Sequence, residues 1–119
     1  MNLMISEFTL AALGEAASRF RIRPLDRVRV KGKTKPVEIF EVIPSWSPIA
    51  HEPEMLNLYR EAYDLYMKSS FTAAEQALRR LLAQVHEDKP AKNLLERCEH
   101  YLTSPPPPAW DGVTTFTTK

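Results

Sequence analysis

With 119 residues, 44% of them apolar and 26% charged, the chain has the composition of a folding globular protein rather than a disordered one, enough for one ordinary domain or two small pieces. No apolar run approaches the roughly 18 residues of a membrane span, the N-terminus lacks the order of a secretory signal, and the single cysteine, Cys98, can make no internal disulfide. The formal net charge of +1 hides an asymmetry, +3 over residues 1–50 against −2 over residues 51–119, which leaves room for an anionic partner in the first half alone.

Asn2-Leu3-Met4-Ile5 is a short apolar run suited to a buried strand, and Ser6 follows it as a helix N-cap. From Phe8 the apolar positions Leu10, Leu13, Ala17 and Phe20 recur at helical spacing, with Gly14 a candidate early stop. After Arg19 the period changes to two: Phe20 and Ile22 alternate with arginines, and Val28 and Val30 alternate with Arg27, Arg29 and Lys31. Pro24 is expected to interrupt this stretch at an edge or bend. Gly32 then turns the chain, and the Val-, Ile- and Phe-rich run from Val37 to Ile43 closes an antiparallel hairpin.

Prolines 44, 48 and 53 mark residues 44–53 as a linker. Helical patterning takes over in residues 54–103. Met55, Leu58, Tyr59, Ala62, Leu65 and Tyr66 line one side of a first helix; Phe71, Ala74, Leu78, Leu81, Leu82 and Val85 line a second. Thr72 with Glu75 can form the capping box of that second helix, with Ser70 as the rival cap. A third helix starts near Asp88, has Pro90 in its first turn, and presents Ala91, Leu94, Leu95, Cys98 and Leu102. Residues 104–119 contain four consecutive prolines, Pro105 to Pro108, and are expected to be an extended, stiff tail.

The chemistry-bearing residues are few. Arg27, Arg29, Lys31 and Lys33 share parity, so an uninterrupted strand shows them as one basic stripe. Nucleic acid is the obvious rival partner for such a stripe. Against it, no aromatic residue lies between Ile22 and Ile39 to stack on bases, and no helix offers the charges to a groove. His51, His86 and His100 lack the spacing of a local metal site. Cys98 reads as a small buried hydrophobe and Tyr59, Tyr63 and Tyr66 as packing residues, so none of these is assigned a site.

The segments Leu3-Met4-Ile5-Ser6-Glu7-Phe8-Thr9, Arg23-Pro24-Leu25-Asp26-Arg27-Val28-Arg29-Val30-Lys31-Gly32-Lys33 and Lys35-Pro36-Val37-Glu38-Ile39-Phe40-Glu41-Val42 together resemble the closing part of class III nucleotide cyclase domains. The resemblance covers about residues 1–43 and is most specific at Val30-Lys31-Gly32-Lys33 followed by Pro-Val. The helices beyond it resemble a tetratricopeptide repeat around Phe71-Thr72-Ala73-Ala74 and Leu78. The Pro-Pro-Pro-Pro-Ala-Trp-Asp-Gly-Val end is similar to the C-terminal ends of bacterial sensor-linked cyclases.

What this implies is an α+β chain. A partial cyclase segment of ferredoxin-like type, strand, helix and hairpin over 1–43, is followed by the 44–53 linker, a tetratricopeptide-like three-helix unit over 54–103 and the 104–119 tail. The family forms a cyclic nucleotide from ATP or GTP by attack of the 3′ hydroxyl on the α-phosphate, with two Mg or Mn ions held by aspartates that lie upstream of the Ile-Ser-Glu step. The chain is therefore expected to be incomplete and inactive alone. One family role maps onto it: the first lysine of the Val-Lys-Gly-Lys step, Lys31, contacts the substrate polyphosphate; the ordinary reading is a solvated strand lysine.

The implied partners are the missing upstream cyclase domain and a second copy of the parent. No nucleic acid and no membrane contact are expected for this segment. The expected location is cytoplasmic, with any attachment to the inner membrane supplied upstream. The alternative from another class is a helical-repeat module that binds a protein partner.

Overall fold

A computed structural model describes residues 3–30 and 35–116, and it is α+β, as the change of hydrophobic period from two to 3.6 predicts. Its contacts divide it into one unit of Met1–Trp46 with Val113–Lys119 and another of Ser47–Gly112.

In the first unit, β1 (Leu3–Ser6) runs into α1 (Glu7–Leu13), and β2 (Arg21–Val30) and β3 (Val37–Ile43) form the hairpin. The strand order is β1-β3-β2-β4, with β1 and β2 both antiparallel to β3. The strand-to-helix switch is local chemistry. Ser6 keeps extended backbone while its Oγ accepts from the Thr9 N–H at 3.2 Å. Gly14, at φ +56, ends α1 as the sequence suggests, and a 3₁₀ segment (Gly14–Arg19) continues to Phe20.

Pro24 does not end β2. The ladder to β3 shifts register between Pro24 and Asp26, so Leu25 is an extra residue in a bulge and the strand carries on to Val30. That is the tolerated place for a proline, because here β2 has β3 on one side only; its other neighbour, β4 (Thr114–Phe116), pairs in parallel only from Val28 to Val30. Strand β4 is a departure from the expected extended tail. Its signal was present in the β-branched run Val113-Thr114-Thr115.

The apolar positions of α1 find no core: no residue of that helix is buried, and Leu3, Met4, Phe8 and Phe20 are exposed large hydrophobics.

In the second unit, α2 (Pro53–Met67), α3 (Phe71–Gln84) and α4 (Lys89–Thr103) follow one another, α3 packing along both α2 and α4. The buried side of α2 is turned relative to the expected one. Leu56, Tyr59, Ala62, Tyr63 and Tyr66 are buried, whereas Met55, Leu58 and Leu65 are only half-buried. The three tyrosines, at i, i+4 and i+7, carry more apolar area than the leucines and so decide which side faces in. In α3 the buried set is Phe71, Ala74, Ala77, Leu78 and Leu81, with Val85 just beyond.

The Thr72–Glu75 capping box is not formed. The N-cap is Ser70, without a side-chain hydrogen bond, and its carbonyl accepts from the Ala74 N–H. Helix α4 is capped as its sequence predicts, Asp88 Oδ2 accepting from the Ala91 N–H at 3.3 Å with Pro90 in the first turn. A 3₁₀ turn over Pro48–His51 precedes α2 and buries Ile49 and Ala50.

The tail is extended at Pro105–Pro107 and then turns back, the Trp110 N–H donating to the Pro107 carbonyl at 2.9 Å. The Trp110 ring lies 5.3 Å from Tyr66, 5.6 Å from Phe71 and 5.2 Å from Tyr101, centroid to centroid. One ring from each of the three helices thus meets the tryptophan of the tail. A free stiff tail was expected; instead its Trp is part of the aromatic packing of this unit.

Candidate functional site at the base of the basic hairpin

Lys31, the residue assigned to the polyphosphate, lies outside the described residues together with Gly32, Lys33 and Thr34. What is described is the pair of strand ends that flank it. Val28 pairs with Val37 and Arg27 with Glu38, so β2 and β3 are in register up to the residues that lead into and out of this segment.

The register also sorts the basic residues. Arg21, Arg23 and Asp26 stand opposite Ile43, Glu41 and Ile39 and share one face of the sheet, whereas Ile22, Pro24 and Arg27 stand opposite Val42, Phe40 and Glu38 and share the other. The bulge at Leu25 therefore puts Arg27 on the face opposite Arg23. From Arg27 the strand runs without a shift, and Arg27 and Arg29 share a face as their parity predicts.

Two of the arginines are matched by acids that lie across the ladder. Arg23 Nε is 2.7 Å from Glu41 Oε1 in a buried pair, and Arg27 Nη2 is 4.0 Å from Glu38 Oε2 in a part-exposed one. Asp26, also buried, accepts from the Arg27 N–H at 2.8 Å through Oδ1. The arginines of β2 are thus partly matched in space by acids of β3, since residues 18 and 11 positions apart become cross-strand partners. Sequence reasoning missed the Arg23–Glu41 pair because its register depends on the bulge.

A further contact reaches this corner from α1. The Glu38 N–H donates to Glu7 Oε1 at 2.9 Å. Last in the ladder between β1 and β3 is Ser6 opposite Ile39. At the next position the main chain has turned into α1, and the Glu7 side chain takes the place of the missing carbonyl.

Among the described residues no three His, Cys, Asp or Glu side chains stand together as a metal site. His51, His86 and His100 are exposed in three separate places, and the His100 ring lies 5.3 Å from that of Tyr101. Cys98 is fully buried, and burial, followed by Glu75 and Glu99, pushes its thiol up to about 11. Tyr59, Tyr63 and Tyr66 are core residues, as their spacing predicts. No helix of the described residues is long and apolar enough to cross a membrane.

No family model matches the chain, and no solved structure matches it. Among curated proteins it is 32% identical over 99 residues to the Dictyostelium discoideum protein "Adenylate cyclase, terminal-differentiation specific". The match takes in 82% of this chain and 5% of that protein, so the chain corresponds to about one twentieth of its relative's length. A stretch covering 82% of the chain leaves out less than one fifth, and wherever it starts it runs through β3, α2 and α3. The similarity therefore takes in hairpin and helices alike, and by it the chain is related to a part of a protein named adenylate cyclase.

Proposed function

We propose that the chain is the C-terminal portion of a class III nucleotide cyclase, the last strands of the catalytic domain followed by a tetratricopeptide-like helical unit, and that it makes no cyclic nucleotide alone. The observation that carries the reading is the similarity to a protein named adenylate cyclase over 82% of the chain. Three features of the structure support it. Strand, capped helix and hairpin follow in the expected order. The apolar residues of β1 and α1 stand exposed, as they would in a sheet whose neighbours lie elsewhere. Helices α2 and α3 form an antiparallel pair with α4 packed on α3, the stacking pattern of helical repeats.

In this reading Lys31 gives a positive charge to the polyphosphate of ATP or GTP. A lysine ammonium suits a group whose negative charge grows as pyrophosphate leaves. The Mg or Mn ions of the reaction belong to aspartates of the upstream domain. The acidic residues near the hairpin, Glu7, Glu38 and Glu41, are engaged with the backbone or with arginines and do not gather as a metal site. The working assembly is a homodimer of the parent in the cytoplasm.

The DNA upstream of Met1 tests the reading. An in-frame cyclase core with a pair of metal aspartates supports it, and a stop codon close upstream overturns it. In the joined protein, Lys31→Ala lowers kcat/KM by about tenfold or more and Lys33→Ala by less, the scale of a charged hydrogen bond to substrate. Equal effects would show that the role belongs to neither lysine in particular. A free-standing helical module that binds a protein partner is the second reading; the arrangement of α2, α3 and α4 favours it, and the stop codon would select it.

A further inference from the structure

The thioether of Met67, the last residue of α2, lies against the backbone of Gly112. A Cβ at residue 112 would fall on the Met67 sulfur and stand 3.6 Å from its Cε and 3.7 Å from its Cγ, so the sulfur and both carbons bonded to it face the glycine. Only a residue without a side chain leaves room for that approach, and Gly112 also holds the turn at φ +83. Gly112 is buried and stands two positions after Trp110, whose ring packs on that of Tyr66, the residue before Met67. Met67 itself is only half-buried and keeps part of its surface in water.

We propose that Met67 is a peroxide-sensitive modification site, and that its conversion to the sulfoxide releases the Trp-Asp-Gly end of the tail from the helices. A lone pair of Sδ attacks one oxygen of hydrogen peroxide. The S–O bond forms as the O–O bond breaks, the sulfur gives up two electrons, and the other oxygen leaves as hydroxide. That hydroxide takes the proton of the transferred oxygen and departs as water. The product is a polar sulfoxide where an apolar sulfur was packed against buried backbone.

Docked, the new oxygen has to be fitted into a close contact and kept from water; with the tail released it is hydrated. Release takes Trp110 away from Tyr66, Phe71 and Tyr101 and leaves the packing of α3 on α2 and α4 in place. Methionine sulfoxide is reduced back by dedicated reductases, so the contact is a reversible one.

The test treats the full 119-residue chain with hydrogen peroxide, in a Trp46→Phe background that leaves Trp110 as the only indole; Trp46 is 71% exposed. Peptide masses locate the added oxygens, Met4, at 63% exposure, reporting that the peroxide has acted. The expected result is an oxygen on Met67, Trp110 emission moved to the red and more open to acrylamide, and helical circular dichroism retained. Sulfoxide reductases return the emission to its starting position. Met67→Leu, of similar volume and without a sulfur, shows no change of emission although Met4 is oxidised as before, and Met67→Gln is red-shifted without peroxide. Met67 left as the thioether while Met4 is fully oxidised overturns the proposal. So does an oxidised Met67 with unchanged emission, or the same red shift in Met67→Leu. Loss of the helical signal along with the emission change overturns it as well, because the oxidation would then unfold the helices rather than free the tail.

Discussion

Nε of Arg23 lies 2.7 Å from Oε1 of Glu41, and the two side chains keep only 1% and 3% of their surface in contact with solvent. They face each other across the β2–β3 ladder two rows from Asp26–Ile39, the first pair after the bulge. Removing one partner takes a buried charge-assisted contact from the other, which costs about 3–5 kcal/mol, whereas replacing both by apolar residues of similar size is close to neutral. Arg23→Ala and Glu41→Ala are each expected to lower stability by about that amount in urea unfolding, and Arg23→Met combined with Glu41→Leu to recover most of it. A double substitution as unstable as the singles would show that the pair stabilises the fold by more than mutual neutralisation.

How much of this was legible follows from how local each feature is. The caps at Ser6 and Asp88, the stop at Gly14 and the hairpin were legible because each depends on residues a few positions apart or on a period of two. The Arg23–Glu41 pair was not, since a register argument without the bulge at Leu25 pairs the wrong residues. Nor was the acceptor role of Glu7, because Ile-Ser-Glu gives no sign that β1 runs beside the far end of β3. Trp110 looked like part of a free tail, and only the convergence of Tyr66, Phe71 and Tyr101 at one end of the helices gives it a place. The face of α2 was misjudged by counting apolar positions without weighing the tyrosine rings. Lys31 rests on resemblance, and the structure adds the strand ends beside it.

The buried thiol of Cys98 is expected to be inert. With its pKa pushed up to about 11, the fraction of thiolate at pH 8 is about a thousandth, and the sulfur is also shielded. Alkylation by iodoacetamide should proceed only when the helices open, so its rate rises in step with urea. The pH sign follows from protons bound: the folded state holds the thiol proton to higher pH than the unfolded state does. The contribution of Cys98 is therefore complete below about pH 8.5 and is lost as pH rises towards 11. Cys98→Ala should flatten the alkaline fall of stability relative to wild type. Identical slopes would mean that the thiol does not titrate in that range.

Leu81 and Arg79 lie two residues apart on α3 and have opposite fates. Leu81 has no exposed surface, so Leu81→Asp buries an unpaired carboxylate and should unfold the helical unit, by more than about 4 kcal/mol. Arg79 is exposed; its Nη2 pairs with Glu75 at 3.0 Å and reaches Glu99 on α4 at 2.7 Å. Arg79→Asp sets like charges against those two glutamates at the surface, and its mild effect should fade as salt is added. Circular dichroism through a thermal melt distinguishes them. A helical unit indifferent to Leu81→Asp would show that α3 buries a different face.

Two backbone positions with positive φ should respond in opposite directions. Helix α2 ends in a Schellman motif, the Ser70 N–H donating to the Leu65 carbonyl at 2.8 Å and the Ser69 N–H to the Tyr66 carbonyl at 3.0 Å. Ser69 occupies the left-handed position, φ +64, where glycine is the ordinary residue. Ser69→Gly is therefore expected to stabilise the helical unit by roughly 0.5–1 kcal/mol, the relief of the left-handed strain less the added freedom of the unfolded chain. Gly112, at φ +83, is the converse: it follows the Trp110 anchor, and a Cβ there would fall on the Met67 sulfur. Gly112→Ala meets both the backbone strain and that clash, and should cost about 1–3 kcal/mol. Adding Met67→Ala should relieve the clash and leave the strain, so the double-mutant cycle returns a favourable coupling. The Trp110 fluorescence midpoint in urea reads all four chains. A Gly112→Ala chain as stable as wild type would mean that the Trp-Asp-Gly turn has no fixed conformation, and zero coupling with Met67→Ala would place the whole cost in the backbone.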